Sequence, residues 1–490
     1  MSKPSPPFPP GPQWLGVTKH PSTGIRLPEL FLPGILAALK RRGVPGELTL
    51  SFGRETAPES VIKAPPGEWE ITRGHTGTSI REYMTTAARE ATRVGVPVEI
   101  EGDHLILIGS QAASLRRLAG QHGHEHVSEE QLRRSLDYYK LCLDEAAATG
   151  VVACFTIDAS DLYWHQADRL PATEVERLFR QRFGKKGETL LARYRRTWQL
   201  PAHGGGLAQV TITQAQAMRL ALKFHDSLQA SAELYRYCRE KLAGRPFSWE
   251  IALDETAAGT TPREALFYLL EWQALGFTCE YLGPNVGFAK RVDYTGSMEA
   301  LARRVRQQDA IVRGIAGGLL SIHSGDGAHP YSGKGAGTYE AILAGCGGDC
   351  KFKISDIYYE LLMEHLAALP KRNAGRKLYE AIFDAVAVYL REQVATGGPL
   401  VTPLLVRQIA EYDSEVKRSP AHRRHPRVDF FRFNEFLSLN MRSEAGHRPF
   451  REGLLQFTRE HGDFRAAFNE AVEALTLRMI DGLRLADKEA

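Results

Sequence analysis

Short apolar runs alternate with longer segments of helical periodicity along most of the chain. The runs fall at 48–52, 69–72, 96–100, 151–157, 249–254, 277–282, 319–323 and 351–354. Between most of them lie amphipathic stretches at 79–93, 128–148, 213–242, 262–275 and 297–315. Several of these open on a Ser or Thr whose hydroxyl can cap the unpaired amides of a first helical turn. Strands alternating with helices predict an α/β protein, a (β/α)8 TIM-type barrel; an open doubly wound sheet is the alternative this pattern leaves.

A chain of 490 residues is long for one ordinary domain, so a barrel with additions is expected. Residues 1–45 read as a Pro-rich cover segment with a short helix-like piece at 30–39. The barrel is expected over 46–365, with a helical insertion at about 159–247 whose His203-Gly-Gly-Gly206 reads as a mobile loop. Residues 366–490 carry helical periodicity only, which predicts a C-terminal helical region.

Composition narrows the partners. A net charge of +4 gives no concentrated basic face for nucleic acid. The basic run 417–427 reads as a solvated loop. No stretch has the ~18 apolar residues of a membrane span, and no apolar leader core is present at the start. The six cysteines are scattered, and Cys346 and Cys350 lack the second pair a metal knuckle needs. A cytoplasmic protein acting on a small molecule is the expectation, with a homo-oligomer left open.

The run at 249–254 carries the first chemical signal. Strand alternation puts Glu250, Ala252 and Asp254 on one face and Ile251, Leu253 and Glu255 on the other. Acids facing into a fold are costly unless paired, hydrogen-bonded or metal-bound. In a parallel barrel the reactive groups sit at the C-terminal ends of the strands. Those ends carry Glu101-Gly-Asp103-His104, Asp158, Asp254-Glu255, Ser321-Ile-His323-Ser-Gly325 and, on the eighth strand, Lys353. Two histidines among acids at one mouth suit a divalent metal such as Mn, Co, Ni, Zn or Fe. The cluster His122-Gly-His-Glu-His126 reads as a solvated loop. Gly325 to Gly335 lacks the strand-loop-helix setting of a phosphate cradle and reads as a loop as well.

Five motifs occur in the order and approximate spacing of a known family: Glu-Gly-Asp-His at 101–104, Phe-Thr-Ile-Asp at 155–158, Glu-Ile-Ala-Leu-Asp-Glu-Thr at 250–256, Val-Asp-Tyr-Thr-Gly at 292–296 and Ser-Ile-His-Ser-Gly at 321–325. Over roughly residues 75–360 the chain resembles the tagaturonate epimerase family. The resemblance implies a divalent-metal-dependent isomerase that interconverts D-tagaturonate and D-fructuronate, or a related ketose pair such as fructose and tagatose. It implies Asp103 as proton acceptor, Glu250 as the opposing acid, and His104 and His323 as metal ligands. Asp254 is our candidate for the third ligand. Asp158, Glu255, Lys353 and Arg81 are candidate substrate contacts, with Lys353 or Arg81 facing a substrate carboxylate. The chain departs from the family after Gly325: members continue Ser-Asp-Lys-Phe, whereas Asp326-Gly-Ala-His-Pro-Tyr331 follows here. A metal-dependent aldolase or sugar isomerase, and a sugar-binding relative without catalysis, are the alternatives.

Overall fold

The computed structural model of the chain describes residues 8–64, 74–107, 127–254 and 259–487. Eight parallel strands close into a barrel: β1 (His20–Gly24), β2 (Gly46–Ser51), β3 (Pro97–Ile106), β4 (Cys154–Asp158), β5 (Ser248–Leu253), β6 (Tyr281–Pro284), β7 (Leu319–Ile322) and β8 (Cys350–Ile354). Closure runs through β8 pairing with β1 and through β3 pairing with β4. The open doubly wound sheet is thereby excluded.

One strand corrects the expected domain layout. β1 lies inside the segment read as a cover, and it pairs with β8 on one side and β2 on the other. The expected strand at 69–72 lies outside the described residues, and closure does not need it. The stretch ahead of β1 does cover the barrel, at its floor. Leu15 N donates to Glu99 Oε1 at 3.0 Å, Trp14 Nε1 to Ser248 Oγ at 3.1 Å, and Tyr281 Oη to Gly16 O at 2.6 Å.

The helices follow the capping signals. Ser79, Ser128, Thr213, Thr261 and Ser297 each accept from a backbone amide three residues on, at the starts of Ile80–Val94, Glu129–Thr149, Gln214–Lys241, Pro262–Ala274 and Met298–Ile311. Their apolar faces pack on the outside of the strands. Trp249, on the outer face of β5, stacks on Trp272 with ring centroids 6.1 Å apart and planes within 5°. Burying two such rings contributes several kcal/mol, at ~25 cal/mol per Å² as an upper estimate.

The insertion between β4 and β5 holds the helices Ala172–Phe183 and Lys186–Ala192, an antiparallel hairpin of Thr197–Pro201 with Leu207–Thr211, and the crossover helix Gln214–Lys241. The triple glycine is the hairpin turn: Gly204, Gly205 and Gly206 all have positive φ, at 75°, 93° and 82°.

After β8 and its helix Ile357–Ala367 the described elements are all helices, the last ending at Gly482. The last long helix, Gly462–Gly482, crosses Pro28–Arg42 at Gly34, where a Cβ would meet Asn469 O and the Val472 side chain at 2.6 Å. Two arginines of the basic run are neutralised locally: Arg424 forks onto Asp384 at 2.8 and 2.6 Å, and Arg427 onto Glu364 at 2.6 and 3.1 Å. All six cysteines are buried and free. No described helix is long and apolar enough to cross a membrane.

Candidate active site

The barrel interior is a ladder of charge. Glu47, Glu99, Glu101, Glu250, Lys351 and Lys353 point inward from four strands and are at most 5 % exposed. Lys351 Nζ lies 2.7 Å from Glu47, 3.1 Å from Glu101 and 2.8 Å from Glu250. One ammonium cannot neutralise three carboxylates. Burial and the Glu47 charge push Glu101 up to about 8, against the pull of both lysines. Burial also opposes charge on Glu47 and Glu250, but Lys351, Lys353 and a neighbouring histidine together outweigh it and hold both well below the usual carboxylate range.

One rung higher, the strand ends meet at the mouth. In a regular strand Asp103 and His104 would face opposite ways. The register between β3 and β4 shifts between Gly102 and Leu105, and His104 adopts φ 45°, so the β-bulge turns consecutive side chains to one site. Gly102 permits this, because a Cβ there would meet the Phe52 ring at 2.7 Å. The His104 and His323 rings lie edge to face with centroids 5.2 Å apart. His104 Nε2 is 3.7 Å from Asp103, and its Nδ1 is 3.9 Å from Asp158.

Lys353 joins the two acids of interest. Its Nζ is 2.7 Å from Asp103 Oδ1 and 3.5 Å from Glu250 Oε1. Burial opposes charge on Asp103, but the His104 ring and the Lys353 ammonium beside it together hold the carboxyl below its usual range. His323 bonds Glu250 through Nε2 and lies 3.2 Å from Asp254 Oδ2 through Nδ1. Burial disfavours a proton there, yet Asp254 and Glu250 raise the ring to about 10. Asp103 and Glu250 are thus both held as carboxylates, with the Lys353 ammonium between them.

Against the expected residues, Asp103, His104, Asp254, His323 and Lys353 all line the cleft, and Glu250 supports it from beneath. Asp158 is buried beside them and is bound to its own loop, accepting from Ser160 N and Oγ at 3.0 and 2.6 Å. Glu255 lies outside the described residues, as does the His122–His126 cluster. Arg81 is a correction. It is exposed on the helix Ile80–Val94, its amide bonded to Glu145, and it is absent from the cleft lining. Besides Lys353, the cations found there are Arg26, Arg54 and Lys290. Arg26 follows the unforeseen β1, which is why it escaped notice; it pairs with Glu55 at 2.6 Å and with Asp356. The divergent loop after Gly325 contributes Asp326, whose Oδ2 accepts from Ser355 N and Asp356 N at 3.3 and 3.1 Å.

The donor types at the mouth suit a borderline divalent ion, and His104 Nδ1 is buried with no hydrogen-bond partner among the described residues. His104, His323 and Asp254 do not, however, draw three ligand atoms into one tight group. The described residues that do are His20 with Glu47 and Glu99, and Glu47 with Glu101 and Cys154, both at the floor. Lys351 already supplies the positive charge to the second of these.

A family model described as tagaturonate epimerase matches residues 139–331, a span that includes Asp158, Glu250, Asp254 and His323. No curated protein matches the chain. The native crystal structure of fructuronate-tagaturonate epimerase UxaE from Cohnella laeviribosi aligns with a TM-score of 0.64 at 18% identity, covering 96% of this chain and 83% of that one. Its one-glycerol complex aligns at 0.63 and 18%, covering 97% and 83%. The chain thus carries a tagaturonate epimerase family match across residues 139–331, set in a barrel whose fold it shares with fructuronate-tagaturonate epimerase along nearly its whole length.

Proposed function

We propose that the protein is a metal-dependent sugar-acid epimerase that interconverts D-tagaturonate and D-fructuronate, or a closely related ketose pair, by retro-aldol and aldol steps. The observation that carries this reading is the Asp103–Lys353–Glu250 bridge beneath two facing histidines. The family match and the shared fold support the substrate class.

The chemistry follows from the substrate. The two uronates differ at a carbon β to the ketone, whose C–H is not acidified by enolisation. A base instead removes the hydroxyl proton on that carbon, and the bond to the α-carbon breaks. The bonding pair moves to the α-carbon as an enediolate, and the β-carbon becomes an aldehyde. The aldehyde turns, the bond re-forms on its other face, and the new alkoxide takes a proton.

Asp103, held as a carboxylate, is the base. The Lys353 ammonium, 2.7 Å from Asp103, faces the developing negative charge, gives a proton to the new alkoxide and takes back from Asp103 the proton removed at the start. Glu250 is ionised, so its part is to hold His323 and Lys353 in place rather than to donate as the family resemblance implied. A divalent ion held by His104, His323 and Asp254, once these draw together and His323 yields its proton, would supply Lewis-acid stabilisation to the enediolate oxygen. Arg54 and Lys290 in the cleft lining supply positive charge for the substrate carboxylate, Arg26 being already paired with Glu55 and Asp356. The six free cysteines support a reducing compartment, and we place the protein in the cytoplasm.

The test is incubation of metal-stripped protein with tagaturonate, and separately with fructose, adding back Mn, Co, Ni or Zn and following the epimer by chromatography. Metal-restored epimer formation is expected. Three-carbon fragments as the main product would assign an aldolase, and binding without conversion would assign a non-catalytic relative.

A further inference from the structure

The cleft is lined almost wholly by polar groups. Among its described lining residues one side chain is hydrocarbon: Phe436, delivered from the C-terminal helical region some eighty residues beyond β8. The residue is 2 % exposed, and its neighbours fix its placement. The ring packs on His75 with centroids 4.8 Å apart, and the Arg26 guanidinium lies 5.8 Å from its centre. The preceding residue, Glu435, is fully buried and pairs with Arg291 at 3.4 Å. Two residues on, Ser438 Oγ meets Tyr359 Oη at 2.9 Å. Arg448 then ties the segment to the rim, donating to Leu439 O at 3.0 Å and His75 O at 2.9 Å.

A retro-aldol epimerase has a problem that an aldolase does not. Once the carbon–carbon bond is broken it holds two fragments, dihydroxyacetone as its enediolate and a three-carbon aldehyde acid. The aldehyde must turn over without leaving. Charged walls can hold its carboxylate, but they give no grip on its C–H face and they admit water. An aromatic ring offers that face a dry, flat surface while leaving it free to rotate.

We infer that Phe436 is a positioning residue that retains the aldehyde fragment between bond cleavage and bond formation, which makes the C-terminal helical region part of the active site. The inference rests on the retro-aldol reading above. If the fragment escapes, the enediolate takes a proton at carbon and leaves as dihydroxyacetone, and the aldehyde acid leaves as 2-hydroxy-3-oxopropanoate. Together these account for every atom of the uronate.

The measurement is the ratio of fragments released to epimer formed in metal-replete wild type, Phe436→Ala and Phe436→Leu, with tagaturonate as substrate. The ratio is taken per turnover, so a reduced folded fraction cancels. The Ala variant is expected to raise it about tenfold or more, and Leu, which keeps hydrocarbon bulk, by less. A ratio unchanged in both variants, while wild type makes epimer, overturns the inference alone. Should the Ala variant fail to fold, an unchanged ratio in the Leu variant overturns it. Wild type that makes no epimer overturns the reading beneath it.

Discussion

Lys353 Nζ lies 2.7 Å from Asp103 and 3.5 Å from Glu250, so a single ammonium joins the two carboxylates that flank the cleft from different strands. Its removal separates binding from metal retention. Lys353→Ala is expected to lose turnover and to weaken uronate binding by about 10- to 100-fold, equal to about 1.5–3 kcal/mol for a charge-assisted bond. Metal content should be unchanged. Calorimetric titration with the uronate, beside metal analysis of the same sample, checks both; loss of metal as well would place Lys353 in the ligand sphere.

Asp103→Asn keeps the shape of the bulge and removes the base. Turnover should fall by about 10²- to 10⁴-fold, the range for a positioned general base. Steady-state kinetics with metal quantified in the same preparation decides it, and near-normal kcat would remove Asp103 from the mechanism.

Lys351 concerns stability. It is fully buried among Glu47, Glu101 and Glu250, so Lys351→Met strands their charge without a counter-ion. The expected loss is about 3–5 kcal/mol, read from the urea midpoint. Adding Glu47→Gln should recover part of it. A single variant as stable as the parent would contradict the ladder of charge.

Asp309 gives a pH signature away from the cleft. It is 1 % exposed and bonded to Arg313 at 2.9 Å, and burial raises its carboxyl to about 6 despite that arginine. Because the folded state then holds the proton more tightly than the unfolded chain, its contribution to stability falls as pH rises from about 4 to about 6 and stays low above that. Asp309→Asn is expected to raise the unfolding free energy at pH 7 by about 1–3 kcal/mol, read from urea denaturation, and to change it little at pH 4. Parallel shifts at both pH values would rule out the titration as the cause.

The legibility of these features in the sequence tracks their physics. β5, β7 and β8 pack Trp249, Ile251, Ile322 and Phe352 outward, so apolar runs betrayed them, and strand alternation then placed Glu250 and Lys353 inward. The Ser and Thr caps marked the helix starts almost to the residue. β1 escaped because His20-Pro-Ser-Thr-Gly24, though wholly buried, carries no large hydrophobic side chain for a periodicity to show. The bulge at His104 is a register event between two strands, and no local pattern encodes it. Phe436 and Arg26 reach the cleft only through tertiary packing, one following an unforeseen strand and one arriving from the far end of the chain.

The charged interior also constrains how this barrel can change. A hydrocarbon core tolerates one swap at a time, since Leu for Met or Val for Ile shifts volume by little. Here most inward residues are held by the opposite charge of another: Lys351 serves three acids, and Lys353 and His323 share Glu250. Most single replacements in the lumen leave a neighbour stranded. Neighbouring sequences with a different lumen are therefore reached by paired substitutions, and Glu47 with Lys351 is the first pair to vary together in any library built on this scaffold.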